Sequence, residues 1–472
     1  MKQKFSILSV LLIFLLSTSL KAEVKLPAIF GDNMVLQQQT DAAIWGTASA
    51  NKTVTITTSW NKKSYSAKAD SQGKWKTKVQ TPAAGGPYSI SISDGKTLTL
   101  KNVLIGEVWV CSGQSNMQMT MKGYQNQPVL GANEAIATSE NAKIRLITID
   151  RVKNLKPQED FPGKWVECTP ENVADFSATA YFFGKMVQQA LNVPVGLICS
   201  SWGGTRIEPW ISEMGIKNFD WVKMPDKNMT GELSPQTPTV LYNAMISPMV
   251  GYAIKGALWY QGESNRNEPA EYEKLLPGLS ENWIKEWGIG DFPFYYVQIA
   301  PFNYGTSGVN SAFIRESMLK ASTLPNLGMA CLMDAGEETC IHPANKKAAG
   351  ERLAYLALAK TYGKKGIEYS GPVLKDMKVE GSIVKLTFDH AKNGLTTFGK
   401  ELKNFKVAGE NKNFVPAQAF ITNQGISIYS PNVEKPVAVR YAFDDFVIGE
   451  LFNTEGLPAS SFRTDDWEIK KN

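Results

Sequence analysis

Between residues 105 and 365, short apolar runs alternate with longer amphipathic segments, and this alternation constrains the fold more than any other feature. The runs "IRLITID", "VGLICSSW", "GALWYQG", "FYYVQIA" and "LGMACLMD" have strand character. Between and after them lie "TAYFFGKMVQQAL", "EYEKLLPGLSENWIKEWG" and "NKKAAGERLAYLALAKTYG", which have helical character. Strands separated by helices pair most readily as parallel neighbours, because the helix supplies the crossover and covers the sheet. The expectation is an α/β core with a mainly parallel sheet between helices. In such sheets, ligands collect in the loops beyond the carboxyl ends of the strands. On either side the pattern changes. Residues 23–104 ("KTVTITTSW", "GKWKTKVQ", "YSISISDG") and 366–472 ("VKLTFDHA", "GISIYSP", "AVRYAFDD") alternate apolar and polar residues between turn formers. Short strands at this spacing predict flanking β modules, sandwich-like in both cases.

The chain opens with "MKQKFSILSVLLIFLLSTSLKA", two lysines ahead of an apolar run from Phe5 to Leu16. That run is about 12 residues, short of the ~20 needed to span a bilayer. It reads as a secretory leader over residues 1–22, cleaved after Ala22, and predicts an exported protein, periplasmic or extracellular, that does not stay in the membrane. Lys and Arg exceed Asp and Glu by only five, with no basic block, which argues against nucleic acid as a partner. The five cysteines lack CxxC spacing, so no zinc ribbon is expected, and an odd number leaves at least one thiol free. No metal and no organic cofactor are expected, and the sequence carries no signal for oligomeric state.

Histidine is scarce. There are two, His342 and His390. His390 ends the alternating run "KLTFDH" and reads as a surface or turn residue, whereas His342 follows the strand "LGMACLMD" and precedes a helix. Pro343 biases His342 towards an extended conformation. A serine nucleophile needs a base within hydrogen-bond reach, and histidine is the usual one near neutral pH. Ser115 lies in "GQSNM", just after the strand "EVWVC", so both residues fall at the same sheet edge if their strands share a sheet. No Gly-x-Ser-x-Gly elbow is present. Two further loops follow strands: "WGGTRIEPW", with Gly203 and Gly204, and "YQGESN", with Gln261, Glu263 and Asn265. Glycine lets backbone N–H groups approach a ligand and an amide adds another donor, which are the parts of an oxyanion hole. Trp202, Trp210, Trp259 and Tyr260 are candidates either for stacking on a sugar or for core packing.

Taken in order, "GQSNM", "SSWGGT", "WYQGESN" and "IHPANK" resemble the blocks of SGNH-type hydrolases, in particular the sialate O-acetylesterase family of carbohydrate esterases. "LPAIFGDNMVLQQ" near the start and "TEGLPASSFRTDDW" near the end resemble that family too, so the likeness spans nearly the whole chain after the leader. The resemblance implies an SGNH-hydrolase-like core and a serine esterase that removes acetyl esters from sialic acid or related glycans through an acetyl-serine intermediate. Ser115 would be the nucleophile and, through its backbone N–H, one oxyanion donor. Gly204 (or Gly203) would be the second donor, and a side-chain amide, Gln261 in preference to Asn265, the third. His342 would be the general base. Gln114, Asn116 and Glu263 would border the substrate; Arg206 and Glu208, in "GGTRIEPW", either contact sugar hydroxyls or a substrate carboxylate there or pair with each other on the surface.

The chain departs from the family pattern at one point. Many SGNH enzymes carry an aspartate three residues before the histidine, where this chain has Thr339, and relatives resembling "DIHP" have aspartate where this chain has Cys340. Asp334 is the preferred orienting acid, with Glu337, Glu338 or a backbone carbonyl as alternatives. Three other readings compete. One is an acetyl xylan or pectin esterase of the same mechanism. Another is a glycosidase that uses Glu208 and Glu263 as paired carboxylates. The last is a glycan-binding protein without catalysis.

Overall fold

The computed structural model describes residues 23–229, 231–305 and 308–468. The leader expected over residues 1–22 lies outside the described residues. The core is a sheet in which Leu327–Ala330, Phe294–Val297, Gly256–Tyr260, Thr97–Gly113, Val195–Ser201, Asn141–Thr148 and Trp165–Cys168 are neighbours in that order. Every pair is parallel except the last, Asn141–Thr148 with Trp165–Cys168. Pairing of Thr97–Gly113 with both Gly256–Tyr260 and Val195–Ser201 puts the earliest core strand in the middle. Later strands then add on its two sides, which makes its carboxyl end a topological switch point.

The layering follows from side-chain alternation along the strands. In Thr97–Gly113, Trp109 and Cys111 join a buried cluster with Phe183, Val187, Leu353 and Ala354 from the helices Ala178–Leu191 and Lys346–Leu356. Val108 and Val110 point the other way, into a cluster with Leu275, Leu279, Trp283, Ile314 and Met318 from Pro269–Trp287 and Ala312–Ala321. The sheet is thus covered on both faces, and its central strand is apolar on both.

The flanking modules are β, and neither is a separate bead. Thr97–Gly113 is 17 residues long. Its first half pairs antiparallel with Gly85–Ser93 and its second half enters the core sheet, so the expected boundary at 104/105 falls inside one continuous strand. After the core come two four-stranded antiparallel sheets. One runs Val373–Glu380, Ile383–Asp389, Gly425–Tyr429 and Gln418–Thr422, and the other Val415–Pro416, Phe405–Ala408, Ala438–Tyr441 and Phe462–Arg463.

Candidate active site

Immediately after the central strand the chain turns sharply. Gly113 has φ +137°, and a Cβ there would press into the Tyr260 carbonyl oxygen of the neighbouring strand. Only glycine fits that approach. The turn is clamped from both sides: Gln114 N–H donates to Tyr260 O (2.9 Å), and Trp202 N–H donates to Gly113 O (3.0 Å). The helix Ser115–Gln118 begins at the serine, and its carbonyl accepts from Met119 N–H and from the Tyr124 hydroxyl. The Ser115 N–H is at the start of the helix, where backbone donors lack an intrahelical partner, and among the described residues it makes no hydrogen bond.

His342 arrives from the loop after the edge strand Leu327–Ala330. Its Nε2 lies 2.8 Å from Ser115 Oγ, and its Nδ1 lies 2.7 Å from Gln127 Oε1. An amide oxygen can only accept, so Nδ1 carries the proton and Nε2 is left to accept from the serine hydroxyl. Burial first, and then the charge of Lys346, push the imidazole down to about 4. It is therefore neutral, and able to take a proton, over the whole physiological range.

The expected orienting acid is corrected by this geometry. Asp334 makes a bidentate pair with Arg352, 2.7 Å for each contact, and does not reach His342. Two guanidinium donors satisfy its carboxylate better than one imidazole would. Glu337 instead accepts from Ala344 N–H (2.6 Å), Glu338 lies by Asn303, and Thr339 is exposed. The partner of Nδ1 is Gln127, which the sequence reading missed. It sits in a tight turn in which Tyr124 and Gln127 exchange backbone hydrogen bonds, and the Tyr124 ring stands edge-on to His342. Gly123 and Asn126, both with positive φ, mark that turn, but no spacing connects it to a histidine 215 residues later.

Of the expected oxyanion donors, Gly203 packs against the serine, so that a Cβ there would come within 3.2 Å of Ser115 Cβ. Its N–H is taken by Gln118 Oε1 at 2.7 Å. Gly204, with φ +74°, has open space on its Cβ side and an N–H without a partner among the described residues. Gln261 is a second correction. Both donors of its amide are committed, to Thr205 O (3.1 Å) and Asn265 Oδ1 (2.8 Å). Asn265 spends one N–H on Glu208 Oε2 (3.1 Å) and has a second.

The remaining polar candidates are tied to one another. Arg206 grips Glu208 at 2.7 Å and reaches Glu268 at 3.2 Å, so its charge is met within the protein. Gln114 Oε1 faces Ser264 N–H at 3.4 Å. Asn116 donates to Glu263 Oε1 (2.6 Å) and to Ile341 O (3.1 Å), which puts both side chains behind the serine rather than against a substrate. This corrects the expectation that Asn116 and Glu263 contact substrate. With Glu208 held by Arg206 and Asn265, neither carboxylate of the glycosidase reading is placed to attack or protonate a sugar. Trp210, Trp259 and Tyr260 are core residues, whereas Trp202 is partly exposed beneath Arg151 and Lys153. Beside the serine turn, Gln118, Tyr124, Asp150, Arg151 and Ser201 border a cavity of about 170 Å³. Among the described residues no three or more His, Cys, Asp or Glu converge as metal ligands, and no helix is long and apolar enough to cross a membrane.

A family model described as "Carbohydrate esterase, sialic acid-specific acetylesterase" matches residues 105–358. Human sialate O-acetylesterase is 32% identical over 384 residues, which cover 72% of this chain and 72% of that one. The mouse sialate O-acetylesterase is 28% identical over 487 residues, 88% of this chain and 89% of the relative. Among solved structures, a carbohydrate acetylesterase from Xanthomonas citri superposes with a TM-score of 0.86 at 33% identity, covering 94% of this chain and all of that one (100%). On the family match over residues 105–358 and the 32% identity to the human enzyme, the chain belongs to the sialic acid-specific acetylesterase family of carbohydrate esterases.

Proposed function

We propose that this protein is an exported serine esterase with an SGNH-type core, and that it removes O-acetyl groups from sialic acid or a related acetylated glycan. The observation that carries the mechanism is the 2.8 Å contact between Ser115 Oγ and His342 Nε2 at the switch point of the sheet. Ser115 Oγ attacks the acetyl carbonyl carbon as His342 Nε2 takes its proton. The carbonyl oxygen becomes an oxyanion, received by the N–H groups of Ser115 and Gly204, with the second N–H of Asn265 as the third donor in place of Gln261. The tetrahedral intermediate then collapses. The bond to the sugar oxygen breaks, His342 returns the proton to that oxygen, and acetyl-Ser115 remains. Water, deprotonated by His342, attacks the acetyl carbon, the bond to Ser115 Oγ breaks, His342 returns the proton to Oγ, and acetate leaves. Gln127 holds the imidazole tautomer through both halves of the cycle.

Export is supported by the leader-like order of Lys2, Lys4 and the apolar run Phe5–Leu16. The test of the activity is acetate release from 9-O-acetylated sialic acid and from acetylated xylan, comparing wild type with Ser115→Ala. Release is expected to fall about a thousandfold or more in the variant. Preference for the sialic acid supports the substrate assignment, and preference for xylan moves the protein to plant polysaccharide. Equal release by wild type and Ser115→Ala would overturn the serine mechanism.

A further inference from the structure

Behind the catalytic pair lies a lysine that the mechanism does not use. Lys346 is 1% exposed, although its neighbour Lys347 is on the surface. A buried ammonium is costly unless it is paired and hydrogen-bonded, and here its donors go to informative places. Nζ donates to Asn116 Oδ1 at 2.5 Å and to Pro343 O at 2.9 Å. Asn116 is the residue after the nucleophile, and Pro343 the residue after the base. The same Asn116 amide donates to Ile341 O, the residue before the base, and to Glu263 Oε1. One ammonium and one amide therefore bracket His342 on both sides along the chain and tie its loop to the serine helix. Glu263, from the loop after Gly256–Tyr260, supplies the countercharge, and its Oε2 is buried without a hydrogen bond among the described residues.

We propose that Lys346 is a positioning residue of the Ser115–His342 pair, whose buried ammonium locks the two catalytic loops together and presents a positive charge to the imidazole. The inference rests on the serine esterase reading. It accounts for how a site without an orienting carboxylate keeps its base in place: the loop that carries His342 is fixed on both sides, and the ring is fixed by Gln127. The charge acts in the same direction. Burial lowers the Lys346 ammonium to about 7, against the pull of Glu263, Cys340 and Glu337. It therefore stays protonated over the acidic range in which His342 would otherwise gain a proton. The other titratable groups facing His342 do not cancel this charge there. Tyr124 is pushed up by burial to about 12 and stays neutral. Burial raises the Glu263 carboxyl, which weakens its countercharge as pH falls. Cys340 donates its thiol proton to the His342 carbonyl, and Lys346 is the charged group that acts on the imidazole.

The test uses the full chain and a readout that needs no catalysis. The protein has two histidines, so NMR titration of the imidazole C–H signals, with His390→Gln to identify His342 by elimination, reads its protonation midpoint directly. In Lys346→Met the midpoint is expected to rise by about one pH unit, and the acid limb of kcat/KM to move up with it. Lys346→Gln, which retains a donor for Asn116, carries the same expectation and serves if the Met variant does not melt cooperatively. A His342 midpoint identical in wild type and a folded Lys346 variant would overturn the proposal, because a purely structural lysine lowers kcat at every pH without moving the limb. Absence of acetate release from wild type on both substrates would overturn the esterase reading separately, while the titration still decides whether Lys346 sets the state of His342.

Discussion

Gln127 accepts the Nδ1 proton of His342 at 2.7 Å, and a neutral amide does only part of what a carboxylate does there. It fixes the tautomer and the ring plane, but it adds no negative charge to stabilise the imidazolium that the proposed mechanism forms. Two predictions follow from the chemistry of that one contact. Replacing Gln127 by Ala frees the ring and is expected to lower kcat about 10- to 100-fold with little change in KM, because the lost interaction matters most when Nε2 is charged. Replacing it by Glu places a negative charge beside Nδ1, which favours the protonated ring. The wild-type imidazole, pushed down to about 4, gains its proton only as pH falls through that value, so kcat/KM should show no acid limb from His342 above about pH 5. In Gln127→Glu the acid limb should climb towards neutrality, and kcat above that limb should rise. Steady-state kinetics from pH 4 to 9 checks both, and an unmoved acid limb in Gln127→Glu would sink the contact. Ser115 and His342 could be read from the sequence because each stands in a short block after a strand. Gln127 could not, since nothing local to "GYQNQPV" distinguishes an amide that meets a distant imidazole from one that meets water.

Elements place these residues. The strand Thr97–Gly113 could be read as a strand from its β-branched and aromatic residues, and the break after it from Gly113. What sequence does not display is why glycine stands there: the Tyr260 carbonyl oxygen occupies the space a side chain would need, and φ is +137°. Gly113→Ala is therefore expected to destabilise the fold by about 3 kcal/mol, through backbone strain together with the steric clash. Gly203→Ala should behave differently, because its Cβ would meet Gln118 Oε1 at 3.0 Å and Ser115 Cβ at 3.2 Å, contacts that displace Ser115 more than they unfold the core. Urea melts and acetate release measured on the same preparations separate the two. Gly113→Ala should lose stability, Gly203→Ala should lose activity at nearly unchanged midpoint, and the reverse pattern would refute the assignment. The helix Lys346–Leu356 carries a legible signal of its own. Lys346, Ala349, Gly350, Leu353 and Ala354 recur at helical spacing on one buried face, so the lysine at its head was marked as inward by the residues that follow it.

At the scale of the molecule, a mixed α/β core followed by further β-sheets was legible because hydrophobic periodicity changes along the chain, but the dependence of the core on its flanks was not. That dependence is carried by buried polar groups whose partners come from the other modules. On the N-terminal side, Val108 N–H donates to Gln37 Oε1 (2.9 Å), Trp165 Nε1–H to Ile29 O (2.8 Å) and the Tyr252 hydroxyl to Val35 O (2.6 Å). On the C-terminal side, Arg315 is fully buried in the helix Ala312–Ala321. Its guanidinium donates to Ser461 Oγ (3.1 Å), Asp444 O (2.5 Å) and Asp445 O (3.4 Å), all contributed by the last β module. Gln298, at the end of a core strand, likewise reaches Ser460 Oγ at 2.7 Å. A chain cut to residues 105–365 would leave Arg315, Gln298 and Trp165 without these partners and would open the two buried clusters to water. Each stranded neutral donor costs about 1–3 kcal/mol, and a buried guanidinium more, against a total stability of about 5–15 kcal/mol. The excised core is therefore expected to lack a cooperative thermal transition, whereas residues 23–472 should show one. Differential scanning calorimetry of the two chains decides it. A cooperative melt and Ser115-dependent acetate release from the 105–365 chain would show that the flanking modules serve a partner or a polymer instead of completing the enzyme's interior.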